Sequence, residues 1–137
     1  MPALVVDASV VLAWALPDES SAYADAVLSV AEQEGLRVPE IWAREIANGL
    51  AVAYARRRLT VVDEKAFLAA MACLTIAAEV KTALTVLRDG TAAALRFGLT
   101  AYDAAYVDLA LREGLPLATL DIPMRKAAEQ SGVIIFQ

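Results

Sequence analysis

The chain of 137 residues contains no histidine and only one cysteine, Cys73. Without histidine it cannot build Ser-His-Asp or Cys-His machinery, and histidine general acid–base chemistry is excluded. A single cysteine excludes disulfides within the chain and the cysteine-rich sites that bind structural zinc. Any catalysis must therefore use carboxylates, lysine, tyrosine or a bound metal ion.

Basic residues are fewer than acidic ones, 12 against 17, and the formal net charge is −5. This balance argues at first against a nucleic-acid partner, because non-specific binding depends on cations that neutralise phosphates. Net charge is a weak guide here, since a bound metal ion would cancel part of the acidic charge. The basic residues are also unevenly spread, and the only run of three is Arg56-Arg57-Arg58.

Hydrophobic residues make up 59% of the chain, above the usual range, yet no apolar run is long. The longest nearly apolar stretch, residues 66–78, is too short to span a bilayer and predicts a buried helix. The N-terminus has no basic leader and Asp7 interrupts its apolar segment, so we predict no signal peptide and a cytoplasmic protein. The apolar excess predicts either a generous core or a surface that a partner covers.

Apolar runs alternate with helix-like segments, and we predict one α/β domain over residues 1–137. Predicted strands cover residues 3–6, 36–38, 117–120 and 133–136. Predicted helices cover residues 10–15, 21–34, 41–57, 63–77, 91–97, 100–113 and 123–130, and residues 79–87 are ambiguous, with a short strand as one interpretation. Strands that are apolar on both faces and separated by helices indicate a parallel sheet covered on both sides.

Four carboxylates fall where this pattern places the rim of a single site: Asp7, Glu45, Asp103 and Asp121. Asp7 and Asp121 each end an apolar run, and in an open parallel sheet ligands bind beyond the carboxyl ends of the strands. Glu45 and Asp103 lie inside helical patterns, on or beside the apolar arc. A carboxylate there is costly unless it is paired, hydrogen-bonded or bound to a metal. One shared divalent cation would explain all four.

Each acid also has a purely structural interpretation. Asp7 and Asp121 could cap the helices that follow them, and Asp103 could form a capping box with Thr100. Glu45 lies in mid-helix, where no capping role is open to it, and its structural alternative is an ion pair with an arginine.

Small polar residues accompany the acids. Ser9 and Thr119 lie two residues from Asp7 and Asp121, where hydroxyls could orient the carboxylates. Asn48 follows Glu45 by three residues on the same side of the helix and could donate a hydrogen bond to it.

Four segments carry a family resemblance: Leu4-Val5-Val6-Asp7-Ala8-Ser9, Glu45-Ile46-Ala47-Asn48-Gly49-Leu50, Leu99-Thr100-Ala101-Tyr102-Asp103-Ala104-Ala105-Tyr106 and Ala118-Thr119-Leu120-Asp121. In this order and spacing they resemble the PIN-domain ribonucleases, and most closely the VapC-type toxins of bacterial toxin–antitoxin pairs. The resemblance covers essentially the whole chain.

The resemblance implies a three-layer α/β/α sandwich with a central parallel sheet and a Mg²⁺- or Mn²⁺-dependent endoribonuclease activity. It also implies homodimers and inhibition by a cognate antitoxin. By motif, the catalytic and metal-binding acids are Asp7, Glu45, Asp103 and Asp121. The matching supporting polar residues are Ser9, Asn48 and Thr119.

A carboxylate cluster without histidine or cysteine suits Mg²⁺ or Mn²⁺ better than zinc, because hard cations prefer oxygen ligands. A bound ion would activate a water molecule for attack on an RNA phosphodiester, leaving a 5′-phosphate and a 3′-hydroxyl. Arg56 lies about 16 Å along the helix from Glu45 at about 1.5 Å per residue. Together with Arg57 and Arg58 it is a candidate RNA contact, and the alternative is a solvated helix end that offsets the dipole.

Two other classes of function compete with this one: phosphoryl chemistry on an aspartate, and binding without catalysis. A haloacid-dehalogenase-like phosphatase needs a second aspartate two residues after the first, where this chain has Ser9. A receiver-like phospho-acceptor needs a lysine after a late strand, but Lys65, Lys81 and Lys126 fall within or beside helix-like segments. The other alternative is a catalytically silent PIN-fold binding module that acts through a protein partner, and the intact acid set argues against it.

Overall fold

The structure, a computed structural model, describes residues 4–137. Its strands are β1 (Leu4–Val6), β2 (Leu36–Val38), β3 (Ile76–Ala78) and β4 (Leu117–Ala118). Its α-helices are α1 (Ala8–Ala15), α2 (Ala22–Glu34), α3 (Trp42–Ala55), α4 (Val61–Ala72), α5 (Ala83–Phe97), α6 (Ala101–Glu113) and α7 (Ile122–Gln130), with a short 3-10 helix at Pro17–Glu19. Ala3, the first residue of the predicted first strand, and the two residues before it lie outside the described part.

The four strands form one parallel sheet in the order β3-β2-β1-β4. All three residues of the central strand β1 are buried, which explains why it is apolar on both faces. The predicted strand over residues 133–136 contributes a single parallel bridge, between Ile135 and Leu117 at the outer edge of β4. Because β1 and β4 are parallel neighbours, the residues that follow them emerge at the same edge of the sheet.

Helices flank this sheet and complete the three-layer α/β/α arrangement. Helix α1 packs against α2, α3 and α4, while α6 packs against α5, α7, β1 and β4. The contact between α1 and α3 is especially close, because a Cβ atom at Gly49 would lie 2.5 Å from Leu12 Cδ1. The glycine therefore lets α3 approach α1, the helix that Asp7 caps. The predicted α/β class and its parallel sheet are confirmed.

Helix α4 differs from its prediction in its start, its length and its burial. Thr60 is the cap, in a complete capping box with Asp63. The helix ends at Ala72 rather than at residue 77, because Ile76–Ala78 joins the sheet as β3. Only Phe67 of its 12 residues is buried, so the predicted buried helix is wrong. A nearly uniform apolar run has no distinct apolar face, so its hydrophobicity alone does not show which side of the helix packs against the core.

Helix α5 begins at Ala83, where Thr82 caps it by accepting from the Thr85 N–H, and not at residue 91 as predicted. The ambiguous residues 79–87 therefore form a loop and the start of this helix, while the strand lies just before them. Of its 15 residues only Ala93 is buried. No helix within residues 4–137 is both long and apolar enough to cross a membrane.

Candidate metal centre

Asp7 follows β1 and caps α1, and its side chain is 3% exposed. Its Oδ1 atom accepts hydrogen bonds from the Val10 N–H (3.2 Å) and the Ser9 hydroxyl (2.5 Å). Its Oδ2 atom accepts from the Thr119 hydroxyl at 2.5 Å. Burial raises the pKa of Asp7, while the hydrogen bonds from Ser9, Thr119 and Val10 act in the opposite direction. Asp7 is therefore a helix cap, as its structural interpretation held, but the cap engages only one of its oxygens.

Asp121 caps α7 in the same way, its Oδ1 atom accepting from the Met124 N–H at 2.8 Å. Its own N–H donates to the Thr119 hydroxyl oxygen at 3.0 Å. Thr119 is fully buried and contacts both acids, since its hydroxyl proton goes to Asp7. One threonine thus ties together the residues that follow β1 and β4.

Glu45 lies in the first turn of α3, is half-buried, and pairs with no cation among residues 4–137. The arginine ion pair that was its structural alternative is therefore wrong. Its Oε1 atom instead accepts a 2.6 Å hydrogen bond from the hydroxyl of Tyr106 on α6. Asn48, the partner suggested by the sequence, is exposed and is not among the hydrogen-bond donors to Glu45 in the described residues.

Tyr106 is the site residue that sequence reasoning missed. The sequence placed it on the apolar arc of its helix and within the motif that contains Asp103, but assigned it no role in the site. Only its hydroxyl is polar, and nothing in the local pattern shows that this group reaches a glutamate 61 positions earlier in the chain. Its position three residues after Asp103, on the same side of α6, was the available signal.

Asp103 lies in the first turn of α6, where the Thr100 hydroxyl oxygen accepts from its N–H at 3.1 Å. Between these two described residues only this half of the predicted capping box forms, in contrast to the complete box at Thr60 and Asp63. Burial raises the pKa of Asp103, the charge of Asp121 raises it further, and a hydrogen bond with Thr100 lowers it.

The four acids influence one another electrostatically. Burial raises the pKa of Glu45, the Tyr106 hydrogen bond opposes this, and the charges of Asp103 and Asp7 add to the rise. With the effect of Asp121 on Asp103, these interactions link all four carboxylates. None of the described arginines or lysines lowers the pKa of Asp7, Glu45 or Asp103. The structure thus brings the predicted acids into one region of negative charge, and none of the four forms an ion pair with a lysine or arginine among the described residues.

No group of three or more acidic or cysteine side chains within residues 4–137 is arranged to hold a metal ion by itself. Such closure is not needed for Mg²⁺, which usually keeps several waters and binds one or two carboxylates. The donor set is entirely oxygen, and the nearby hydroxyls of Ser9, Thr119 and Tyr106 fix the carboxylates. These residues fit a hard divalent cation with water in its remaining positions, and they do not fit zinc.

The three candidate RNA-contacting arginines differ in their surroundings. Arg58 is held by Asp18 at 3.0 Å and Glu19 at 2.7 Å, which ties the end of α3 to the 3-10 helix. Arg56 and Arg57 are exposed just beyond the last turn of α3 and form no ion pair with another described residue. They are the two available cations of the run.

Known proteins resemble the chain in sequence and in fold. Residues 4–130 match the family model described as PIN domain. The chain is 39% identical over 133 residues to Ribonuclease VapC3 of Pyrobaculum aerophilum. The alignment spans 96% of this chain and 97% of that protein. The crystal structure of PAE2754 from Pyrobaculum aerophilum matches with a TM-score of 0.69 over 98% of this chain and 90% of that chain, at 24% sequence identity, and supports the fold alone.

Proposed function

The chain belongs to the PIN-domain family, and on that basis we propose that it is a Mg²⁺- or Mn²⁺-dependent endoribonuclease acting as the toxin of a toxin–antitoxin pair. The observation that carries this proposal is that the four acids lie in one region of negative charge and form no ion pair with a described lysine or arginine: Asp7, Glu45, Asp103 and Asp121. The relative that is 39% identical is named a ribonuclease, which supports RNA as the substrate.

In this proposal the four acids surround the ion, some of them binding it directly and the others through its waters. When bound, the ion supplies a water of lowered pKa and neutralises charge on the attacked phosphate. The chain's own hydroxyls orient the acids: Ser9 and Thr119 each hold one oxygen of Asp7, and Tyr106 holds one oxygen of Glu45. Asn48 is exposed one turn from Glu45, where it would face the bound RNA.

RNA binding in this proposal draws on the exposed cations beyond α3. The four acids repel a polyanion, so phosphates that flank the cleaved bond require positive charge outside the site. Arg56 and Arg57 provide it, at a distance along the helix that suits neighbouring nucleotides rather than the reacting phosphate.

The partners in this proposal are a cognate antitoxin and a second copy of the chain. A groove of about 260 Å³ lies between α5, α6 and the residues just before α3. It includes Tyr102, which is adjacent to Asp103 and 60% exposed. An amphipathic helix of the antitoxin would fit there. Further apolar side chains exposed on α4 and α5 support a homodimer: Val61, Val62, Leu68, Leu84, Leu87 and Leu95.

Cleavage of a structured RNA by the purified protein, with Mg²⁺, with Mn²⁺ or with EDTA, tests the enzymatic proposal. We expect cleavage only with metal, and products that carry a 5′-phosphate and a 3′-hydroxyl. Cleavage that persists in EDTA, or products that end in a 2′,3′-cyclic phosphate, would contradict the mechanism. An absence of cleavage with either ion would favour the catalytically silent binding module.

A further inference from the structure

Glu45 is held differently from the capping aspartates of the site. Asp7 and Asp121 are short side chains at helix N-termini, and each accepts a backbone N–H, from Val10 and Met124 respectively. Glu45 lies in the first turn of α3, its carboxylate accepts no backbone N–H among the described residues, and its side chain has one more rotatable bond than that of aspartate. Repulsion from Asp7 and Asp103 favours conformations that carry its carboxylate away from the site.

Tyr106 provides the hydrogen bond to Glu45. Its side chain is 1% exposed and packs in the core, so the ring cannot readily move. Its hydroxyl donates to Glu45 Oε1 at 2.6 Å, while Glu45 Oε2 accepts no hydrogen bond from the described residues. Burial, the bond to Glu45, and the charges of Glu45, Asp7 and Asp103 all raise the pKa of Tyr106. The hydroxyl therefore lies within the electrostatic influence of three of the four acids.

We propose that Tyr106 is a positioning residue: its buried hydroxyl holds Oε1 of Glu45 so that the glutamate keeps the side-chain conformation needed to bind the divalent cation. This inference rests on the proposed function and adds to it a residue on α6 that acts through Glu45 on α3. A hydrogen bond from an immobile side chain restricts a flexible carboxylate before the ion arrives, so less conformational freedom is lost on binding.

The Tyr106→Phe substitution removes only the hydroxyl and keeps the ring that packs in the core. We expect Mn²⁺ affinity, measured by calorimetric titration of the purified protein, to fall about 10-fold, the lower end of the range for groups that orient metal ligands. RNA cleavage should need a correspondingly higher Mn²⁺ concentration. Tyr54→Phe is the matched control, because Tyr54 also donates to a glutamate, Glu64, at 3.0 Å, but between the end of α3 and the start of α4, where both residues are partly exposed. Its Mn²⁺ affinity should equal that of the wild type.

A double-mutant cycle with Glu45→Gln separates positioning from a general structural effect. If Tyr106 acts through Glu45, Tyr106→Phe lowers Mn²⁺ affinity in the wild type but not in the Glu45→Gln background. Equal losses in both backgrounds, or a wild-type affinity in Tyr106→Phe, would overturn this inference while leaving the proposed function intact. A wild-type protein that fails to bind Mn²⁺ would contradict the proposed function itself, and the inference with it.

Discussion

The Thr119 hydroxyl donates a 2.5 Å hydrogen bond to Oδ2 of Asp7 and so joins the ends of two neighbouring strands. The same hydroxyl oxygen accepts the Asp121 N–H, and Thr119 is fully buried. One side chain therefore sets the relative positions of the two acids that follow β1 and β4. The sheet brings these segments together, and Thr119 fixes their side chains.

Replacing Thr119 with valine keeps the shape of the side chain and removes both hydrogen bonds. We expect the free energy of unfolding to fall by about 1–3 kcal/mol, because a buried acceptor and a buried donor lose their partner. Urea denaturation in EDTA measures this loss. Thr91→Val is the matched control: the Thr91 hydroxyl donates to the Leu87 carbonyl on the exposed helix α5, so its effect should stay within about 0.5 kcal/mol. Equal stabilities for the two variants would show that Thr119 does not organise the site.

Asp103→Asn should abolish cleavage without destabilising the metal-free protein. It removes one charge from a group of repelling acids, and the bond from its N–H to Thr100 does not depend on the charge. Thermal melts with and without Mg²⁺ measure the consequence: the wild type should gain stability from the ion and Asp103→Asn should gain much less.

Asp108→Asn is the control on the same helix, because Asp108 pairs with Arg112 at 2.7 Å and takes no part in the site. It should retain cleavage and the full Mg²⁺ effect. If Asp103→Asn melts lower than the wild type without metal, yet still cuts RNA when Mg²⁺ is present, Asp103 serves only to cap α6 together with Thr100.

Metal-free stability should depend on pH through Asp7. Burial raises its pKa in the folded protein above the ordinary value of 3.8, so the folded state binds the proton more tightly than the unfolded state does. Its contribution to stability is present below pH 3.8 and is lost as the pH rises through the folded pKa. In EDTA, the melting temperature of Asp7→Asn should therefore rise relative to that of the wild type as the pH increases from about 4 to 7.

Asp18→Asn serves as a control with the opposite sign. The hydrogen bond from Arg58 lowers the pKa of Asp18, so this acid stabilises the fold above its unfolded pKa and the contribution is lost as the pH falls. Relative to the wild type, Asp18→Asn should lose stability as the pH rises. If Asp7→Asn and Asp18→Asn change in the same direction, the burial of the Asp7 charge does not govern the metal-free site.

The features that the sequence predicted well are those set by local chemistry. Caps at Asp7, Thr100 and Asp121 mark the starts of α1, α6 and α7. Strands buried on both faces predicted the parallel sheet, and the sheet then brought Asp7 and Asp121 together. These signals need only a few neighbouring residues.

The features that the sequence did not predict depend on distant parts of the chain. Helix α5 starts eight residues before its predicted first residue, and its apolar side chains, Leu84 and Leu87 among them, are exposed rather than packed in the core. The hydrogen bond between Tyr106 and Glu45 links two residues that are 61 positions apart and lie on different helices. Neither follows from spacing along one element, since each depends on how the helices pack.

The exposed pair Arg56 and Arg57 should strengthen RNA binding without affecting the metal. For single-stranded RNA, the slope of log affinity against log salt concentration becomes smaller in magnitude by about 0.7 for each phosphate contact that is removed. The double variant Arg56→Gln/Arg57→Gln should therefore bind labelled RNA more weakly and with a slope smaller by about 1.4. Anisotropy titrations at several salt concentrations, in an Asp103→Asn background that prevents cleavage, measure this slope.

The double variant Arg88→Gln/Arg96→Gln makes the same change in net charge on α5, where Arg88 pairs with Asp89 and Arg96 stacks on Phe97. If RNA senses only the overall charge of −5, the two double variants should weaken binding alike. If the RNA passes the end of α3, only the Arg56 and Arg57 variant should change the slope, because counterion release requires contact. An unchanged slope in that variant would exclude the end of α3 from the RNA path and leave its arginines the role of a solvated helix terminus.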